Sequence, residues 1–243
     1  MCSDRELRYK LKAKEFVELL DKDAKEFSIP DGVTRIGEGA FRGCSSLESL
    51  AIPAGVSSIG VRAFLGCSSL SLLALPPSVT SIGDWAFSDC SSLSSLAIPP
   101  SVTSIGTGAF AYCSSLTRIE VDETNPNYCS IDGALFTKDQ TTLILCARGR
   151  TTYSIPSSVT CIGDLAFSGC RCLSSVEIPS SVVSIGDRAF SDCFSLSSLA
   201  LPSSVTGIGD DAFEDCPKLT LRVPKGSYAE EYAKENEIKY ETF

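Results

Sequence analysis

The apolar positions of this chain recur on a period of 23. Phenylalanine stands at Phe41, Phe64, Phe87 and Phe110, then at Phe167, Phe190 and Phe213, and the 57-residue gap between the two runs is one period plus 34. The units are 29–51, 52–74, 75–97, 98–120, an expanded 121–154, 155–177, 178–200 and 201–222, with a closing segment from Val223. They share the pattern I-P-x-x-V-x-x-I-G-x-x-A-F-x-x-C-x-x-L-x-x-L-x. Leu93, Leu96 and Ile98 alternate with outward residues such as Ala97, as in a short strand with one buried face. Val79-Thr80-Ser81-Ile82 reads as a second strand running into Gly83, where positive φ would turn the chain. Ala86-Phe87 fits a brief helical turn that drops the ring into the core. One unit cannot bury these elements alone, so coils must stack with parallel strands about 4.8 Å apart. The pattern predicts an elongated repeat solenoid whose eight coils span on the order of 40 Å.

The two ends leave the repeat. Ser3 and Glu6 form a capping box ahead of Leu7, Leu11, Phe16, Val17 and Leu20, which predicts a helix over about 4–20 covering the first coil. Residues 1–28 are thus expected to be a capping helix and lead-in strand, 29–222 the solenoid and 223–243 a C-terminal cap, helical from Tyr228 to Lys234. Such caps hide the core and strand edges that an open terminal coil would expose.

The unit that begins Ile98-Pro99-Pro100-Ser101-Val102 and continues through Ala109-Phe110 to Cys113 and Leu116 resembles the BspA-type leucine-rich repeat. The expanded unit, with Asn125-Pro126-Asn127-Tyr128, Ile131-Asp132-Gly133-Ala134-Leu135-Phe136 and Thr141-Thr142-Leu143-Ile144-Leu145, is similar to a recurrent variant of that family. Val223-Pro224-Lys225-Gly226-Ser227-Tyr228 is similar to its terminal unit. The resemblance covers about residues 27 to 243. It implies a right-handed leucine-rich-repeat solenoid, in a family associated with cell-surface attachment and protein binding, and it implies no catalysis.

Composition narrows the chemistry. With 21 Lys plus Arg against 30 Asp plus Glu the net charge is −9, which disfavours nucleic acid as a partner. No apolar run approaches about 18 residues and no secretory h-region leads the chain, so membrane insertion is not expected. The expected location is intracellular if Met1 is the native start, and the cell surface by resemblance. Histidine is absent, which removes the commonest general base and metal ligand together. Seven of the twelve cysteines, Cys44, Cys67, Cys90, Cys113, Cys170, Cys193 and Cys216, share one repeat column and read as buried thiols bonding weakly to loop carbonyls. A zinc site at Cys170 and Cys172 would lack two ligands. Asp187, Asp210 and Asp211 fall beside glycine, where Asp ordinarily satisfies backbone donors.

The expectation is therefore a monomeric, non-enzymatic protein-binding scaffold, adhesive by resemblance, with no cofactor, metal or catalytic residue. Its contact residues should lie where the outward columns depart from Ser and Ala: Arg118, Glu120 and Glu177 around the expanded unit, Lys138 and Asp139 at a hairpin tip, and Trp85 and Tyr112 in turn columns. The alternative is carbohydrate or surface binding through the hydroxyls of Thr80, Thr103, Thr160 and Thr206.

Overall fold

A computed structural model describes residues 9–243 of the chain; Ser3, Glu6 and Leu7 lie outside the described residues. The chain forms two compact units, one running to Leu116 with Asp122–Pro126, the other comprising Thr117–Val121 and Asn127–Phe243. Each is a repeat solenoid built from short parallel strands.

In the first unit Phe16, Ile36, Ile59, Ile82 and Ile105 occupy one register across five neighbouring strands, joined by four parallel two-residue pairings. A second ladder runs through Phe27, Leu50 and Leu73. The rings of Phe16, Phe41, Phe64, Phe87 and Phe110 stack behind these strands with centroids 4.8, 5.0, 5.0 and 5.6 Å apart. Parallel rings at this separation are offset stacks that fill the coil at protein-interior density. In the second unit Leu143, Ile162, Ile185 and Ile208 form the corresponding register, and Phe167, Phe190 and Phe213 stack at 4.7 and 5.5 Å.

Three local expectations are corrected. The first is the N-terminal helix: Tyr9–Lys12 and Glu15–Leu19 instead make an antiparallel hairpin. Its second strand pairs with Arg35–Ile36, and the fully buried residues are Phe16 and Leu19, while Leu11 and Leu20 of the supposed stripe are 45% and 44% exposed. Phe16 is already the first ring of the stack, so strand pairing and ring burial override a weak 3.6-residue pattern.

The second concerns Gly83. It does not take positive φ; a Cβ there would lie 2.7 Å from the Val61 nitrogen in the preceding coil. Glycine is needed for close backbone approach. Left-handed residues occur instead two residues downstream, at Trp85, and again at Asp89.

The third follows from these. Ala86-Phe87 is not helical: Ala86, Ser88 and Cys90 donate to Gly83, Trp85 and Phe87 in consecutive turns, interrupted by left-handed residues that no helix tolerates.

At the other end helix Tyr228–Glu235 forms as expected, with the Ser227 hydroxyl accepting the Glu230 N–H. Tyr232 packs edge-on against Phe213 at 6.2 Å, and Tyr240–Thr242 adds a parallel strand beyond Thr220–Val223.

Asn125 shows how the departure from the repeat is anchored. Its side chain is fully buried and its Nδ2 donates to the carbonyls of Pro99 and Val102 at 3.0 and 2.9 Å. Asn125→Ala strips both carbonyls of a buried donor and should lower stability by about 2 kcal/mol in urea unfolding.

Candidate functional site

The expanded repeat interrupts the coil with a small antiparallel sheet. Strands Tyr128–Ile131, Ala134–Thr137 and Thr142–Leu145 pair as a meander, and the last continues the parallel ladder into Cys161–Ile162. The strand Arg118–Val121 packs on it: the Ile119 N–H donates to the Gly133 carbonyl at 2.9 Å and the Val121 N–H to the Ser130 hydroxyl at 3.2 Å.

Alternation in Arg118–Val121 buries Ile119 and turns Arg118 and Glu120 outward, where they form an ion pair with side chains 69% and 57% exposed. Glu177, on the strand Ser175–Glu177, accepts a hydrogen bond from the Ser154 hydroxyl of the neighbouring strand at 2.8 Å. Lys138 and Asp139 occupy the expected tip between the second and third meander strands, but Asp139 is engaged in building it. Its Oδ1 accepts from the Thr137 hydroxyl, the Thr141 N–H and the Thr141 hydroxyl at 2.6, 3.0 and 2.8 Å. The hydrogen bond from Thr137, reinforced by those from Thr141, holds the Asp139 carboxyl below its usual range. Asp139 is thus a turn residue, whereas Lys138 is anchored through its N–H, which donates to the Asn127 carbonyl at 2.7 Å.

Trp85 and Tyr112 belong to the first unit. Both are half-buried and left-handed, with φ of 56° and 58°. The column of Trp85 holds Gly39, Arg62 and Gly108, and that of Tyr112 holds Gly43, Gly66 and Asp89, all at positive φ. A large aromatic in this region costs on the order of 1 kcal/mol that glycine would not.

The first unit also carries an open cleft of about 510 Å³ along the short strands, edged by Glu15, Arg35 and Asp84 and faced by Ser58, Ser81 and Ser104. Asp84 has a structural task there: its Oδ1 accepts the Thr107 N–H of the next coil at 3.0 Å. Asp164 and Asp187 do the same for the N–H groups of Asp187 and Asp210 at 2.9 and 3.0 Å, which accounts for the acidic turn column. Asp211 pairs with Arg188 at 3.0 Å.

A sequence model described as "BspA type Leucine rich repeat region" matches residues 14–141 and 147–232 in six copies. The chain belongs to the BspA-type leucine-rich-repeat family. No curated protein matches it significantly in sequence. Among solved structures it is similar to a leucine-rich repeat protein from Eubacterium ventriosum, at 29% identity and a TM-score of 0.73 over 85% of this chain and 62% of that one. It is also similar to the pneumococcal vaccine antigen PcpA, at 25% identity and a TM-score of 0.67 over 82% and 62%. A leucine-rich cell surface protein from Faecalibacterium prausnitzii matches at 27% identity and a TM-score of 0.57 over 94% and 82%. The chain therefore spans less than two thirds of the length of the first two.

Within this BspA-type scaffold the repeated hydroxyls and thiols bind the coils to one another. Thr80, Thr103 and Thr160 donate to carbonyls of the preceding coil at 3.0, 3.3 and 3.3 Å, so these donors are engaged within the scaffold. Cys67, Cys90, Cys113, Cys193 and Cys216 donate to the carbonyl 26 residues earlier, at 3.0 to 3.3 Å. Burial pushes the Cys67 thiol up to about 12. Cys170 is buried and Cys172 exposed, so the two do not present their sulfurs to one site.

Two features went unread in the sequence. The Arg150 guanidinium bonds to the Asp132 carbonyl and lies 5.4 Å from the centre of the Tyr153 ring, closing the expanded coil. Arg148 is buried against Cys170.

Proposed function

We propose that this chain is a non-enzymatic protein-binding scaffold whose contact surface is the outward face of Arg118–Val121 and the adjoining meander, together with Glu177. The observation that carries this reading is the exposed Arg118 and Glu120 pair: the column of Arg118 otherwise holds Ser49, Leu72, Ser95, Ser175 and Ser198, and that of Glu120 holds Ala51, Ala74, Ala97 and Ala200 with Glu177 as its other acidic residue. Repeat scaffolds recognise partners through residues that differ between otherwise equivalent positions, and charge at such positions sets orientation and choice of partner. Trp85 and Tyr112 are the aromatic anchors of the first unit, retained at positions where glycine would be less strained. A cell-surface protein and a vaccine antigen among the similar structures support an adhesive role at a cell surface.

The test compares the chain with an Arg118→Glu, Glu177→Arg variant as immobilised bait for surface-protein extracts of cells the source organism meets. Both positions are exposed, so melting temperatures should agree within about 2 °C. A partner captured by the parent chain should be retained at least ten-fold less by the variant. Equal retention would remove this surface from the proposal, and absence of any saturable protein capture by the parent would remove the scaffold reading itself.

A further inference from the structure

The expanded coil has no cysteine in the repeat column, and Cys146 takes the place that phenylalanine holds in its neighbours. The Cys146 N–H donates to the Ala166 carbonyl at 2.8 Å, as that of Phe167 does to Ala189 and that of Phe190 to Ala212. Two residues on, Arg148 turns its side chain inward. It is 3% exposed, and its Nη1 donates to Cys170 Sγ at 3.0 Å. Its Nε and Nη2 find no hydrogen-bond partner among the described residues.

A guanidinium cannot shed its proton in a protein, and an uncompensated buried cation is strongly unfavourable. The sulfur facing it must therefore carry the balancing charge. The neighbouring groups agree. A hydrogen bond from Cys146, with the charge of Arg148 behind it, pulls the Cys170 thiol below its usual range, while Cys146 is raised. Cys193, next in the column, is raised by its hydrogen bond with Cys216 and by burial, and Tyr153 is raised by burial, so both stay neutral. Arg150 is engaged with the Asp132 carbonyl. In the regular coils the column cysteine donates to the carbonyl of the preceding coil's phenylalanine, as Cys113 does to Phe87 and Cys193 to Phe167, so Cys170 lies against the position that Cys146 fills, with the Cys146 Sγ 3.5 Å from the Ala147 carbonyl. A charged sulfur held by a cation with a second sulfur in the adjoining position is the pairing of a nucleophilic and a resolving cysteine.

We propose that Cys170 is a modification site: a buried thiolate that hydroperoxides oxidise and that Cys146 resolves to a disulfide. The Cys170 sulfur attacks the terminal oxygen of the hydroperoxide, the O–O bond breaks, and the leaving alkoxide or hydroxide takes the proton of Cys146. Cys170 is then a sulfenic acid. The Cys146 thiolate attacks the Cys170 sulfur, the S–O bond breaks, and hydroxide departs. Two electrons pass from the two sulfurs to the peroxide, which leaves as alcohol or water plus hydroxide.

The full chain, reduced and freed of reductant, is treated with hydrogen peroxide at neutral pH, alkylated under denaturing conditions and digested with trypsin. Cleavage after Lys138, Arg148, Arg150 and Arg171 places Cys146 in 139–148, Cys170 in 151–171 and Cys172 in a separate peptide, and fragment ions separate Cys170 from Cys161. The expected product is a Cys146–Cys170 cross-link, with the Cys170 thiol lost at least ten-fold faster than Cys67 and Cys90. In Cys146→Ser, oxidation should halt at a sulfenic acid on Cys170 that dimedone captures. Arg148→Met should slow the loss of the Cys170 thiol at least ten-fold, and Arg148→Lys less. Should Arg148→Met fail to fold, the parent chain and Cys146→Ser decide the matter. Oxidation of Cys170 at the rate of Cys67, a cross-link through Cys161, or no dimedone adduct would each overturn the assignment.

Discussion

Phe190→Ala should lower the stability of the chain by about 4 kcal/mol, the cost of emptying a fully buried aromatic site that its surroundings cannot collapse into. The ring is fully buried between Phe167 at 4.7 Å and Phe213 at 5.5 Å, so truncation strips one face from both neighbours. Each coil is stabilised mainly by the coils it touches, so the loss is felt on both sides of the gap. Against a typical total of about 5–15 kcal/mol, that is a large share. Phe194 is the comparison: 37% exposed beneath the Arg171 guanidinium, it should cost less than about 1 kcal/mol when truncated. Urea denaturation of the three proteins measures both differences. Equal midpoints for Phe190→Ala and Phe194→Ala would mean that the ring stack is not a source of stability.

The second large effect separates two glycines that share one tripeptide, Gly207-Ile208-Gly209. A Cβ on Gly209 would lie 2.3 Å from the Asp187 Oδ1, 2.5 Å from the Asp187 nitrogen and 2.7 Å from the Gly186 carbonyl carbon. The Asp187 carboxylate could swing aside only by releasing the Asp210 N–H, and the backbone atoms can yield only if the coils part. Gly209→Ala should therefore cost about 3 kcal/mol. A Cβ on Gly207 meets only the Ser184 Cβ, at 4.0 Å. Gly207→Ala should leave stability unchanged or raise it by up to about 1 kcal/mol, because alanine restricts the unfolded chain more than glycine does. Thermal unfolding distinguishes the two, and equal losses would show that coil spacing places no demand on this column.

These two experiments probe what repetition made visible. Seven copies of Ala-Phe on one spacing were enough to place the rings inward, and Ile-Gly marked the strand that ends against its neighbour. What the glycine does there was not visible, because close backbone approach and positive φ select the same residue. The left-handed columns could have been found by comparing units: Gly39 and Gly108 flank Arg62 and Trp85 in one column, Gly43 and Gly66 precede Asp89 and Tyr112 in the other. The N-terminal hairpin was hidden for a different reason. A single Glu15–Leu19 strand carries no repeat to announce it, and local apolar spacing mimicked a helix until pairing with Arg35–Ile36 decided the matter. The candidate surface was legible as far as Arg118, Glu120 and Glu177 stand out from their columns. Asp139 was legible as a tip residue but not as the acceptor that holds the tip together. Arg148 escaped notice because nothing in a single sequence distinguishes an inward arginine from an outward one.

Phe41, Phe64, Phe87, Phe167 and Phe190 are locked inside stacked coils, each with its ring in the core and its own N–H donated to the coil that follows. The amides of Phe64, Phe87 and Phe167 make these bonds at 2.7 Å to Ala86, Ala109 and Ala189. Native-state hydrogen exchange followed residue by residue tests this directly. These amides should exchange with protection factors on the order of 10⁴ or more, close to the limit set by unfolding of the coils around them. Exchange of the Phe87 amide as fast as that of an exposed turn residue such as Asp31 would contradict the stacked coil outright.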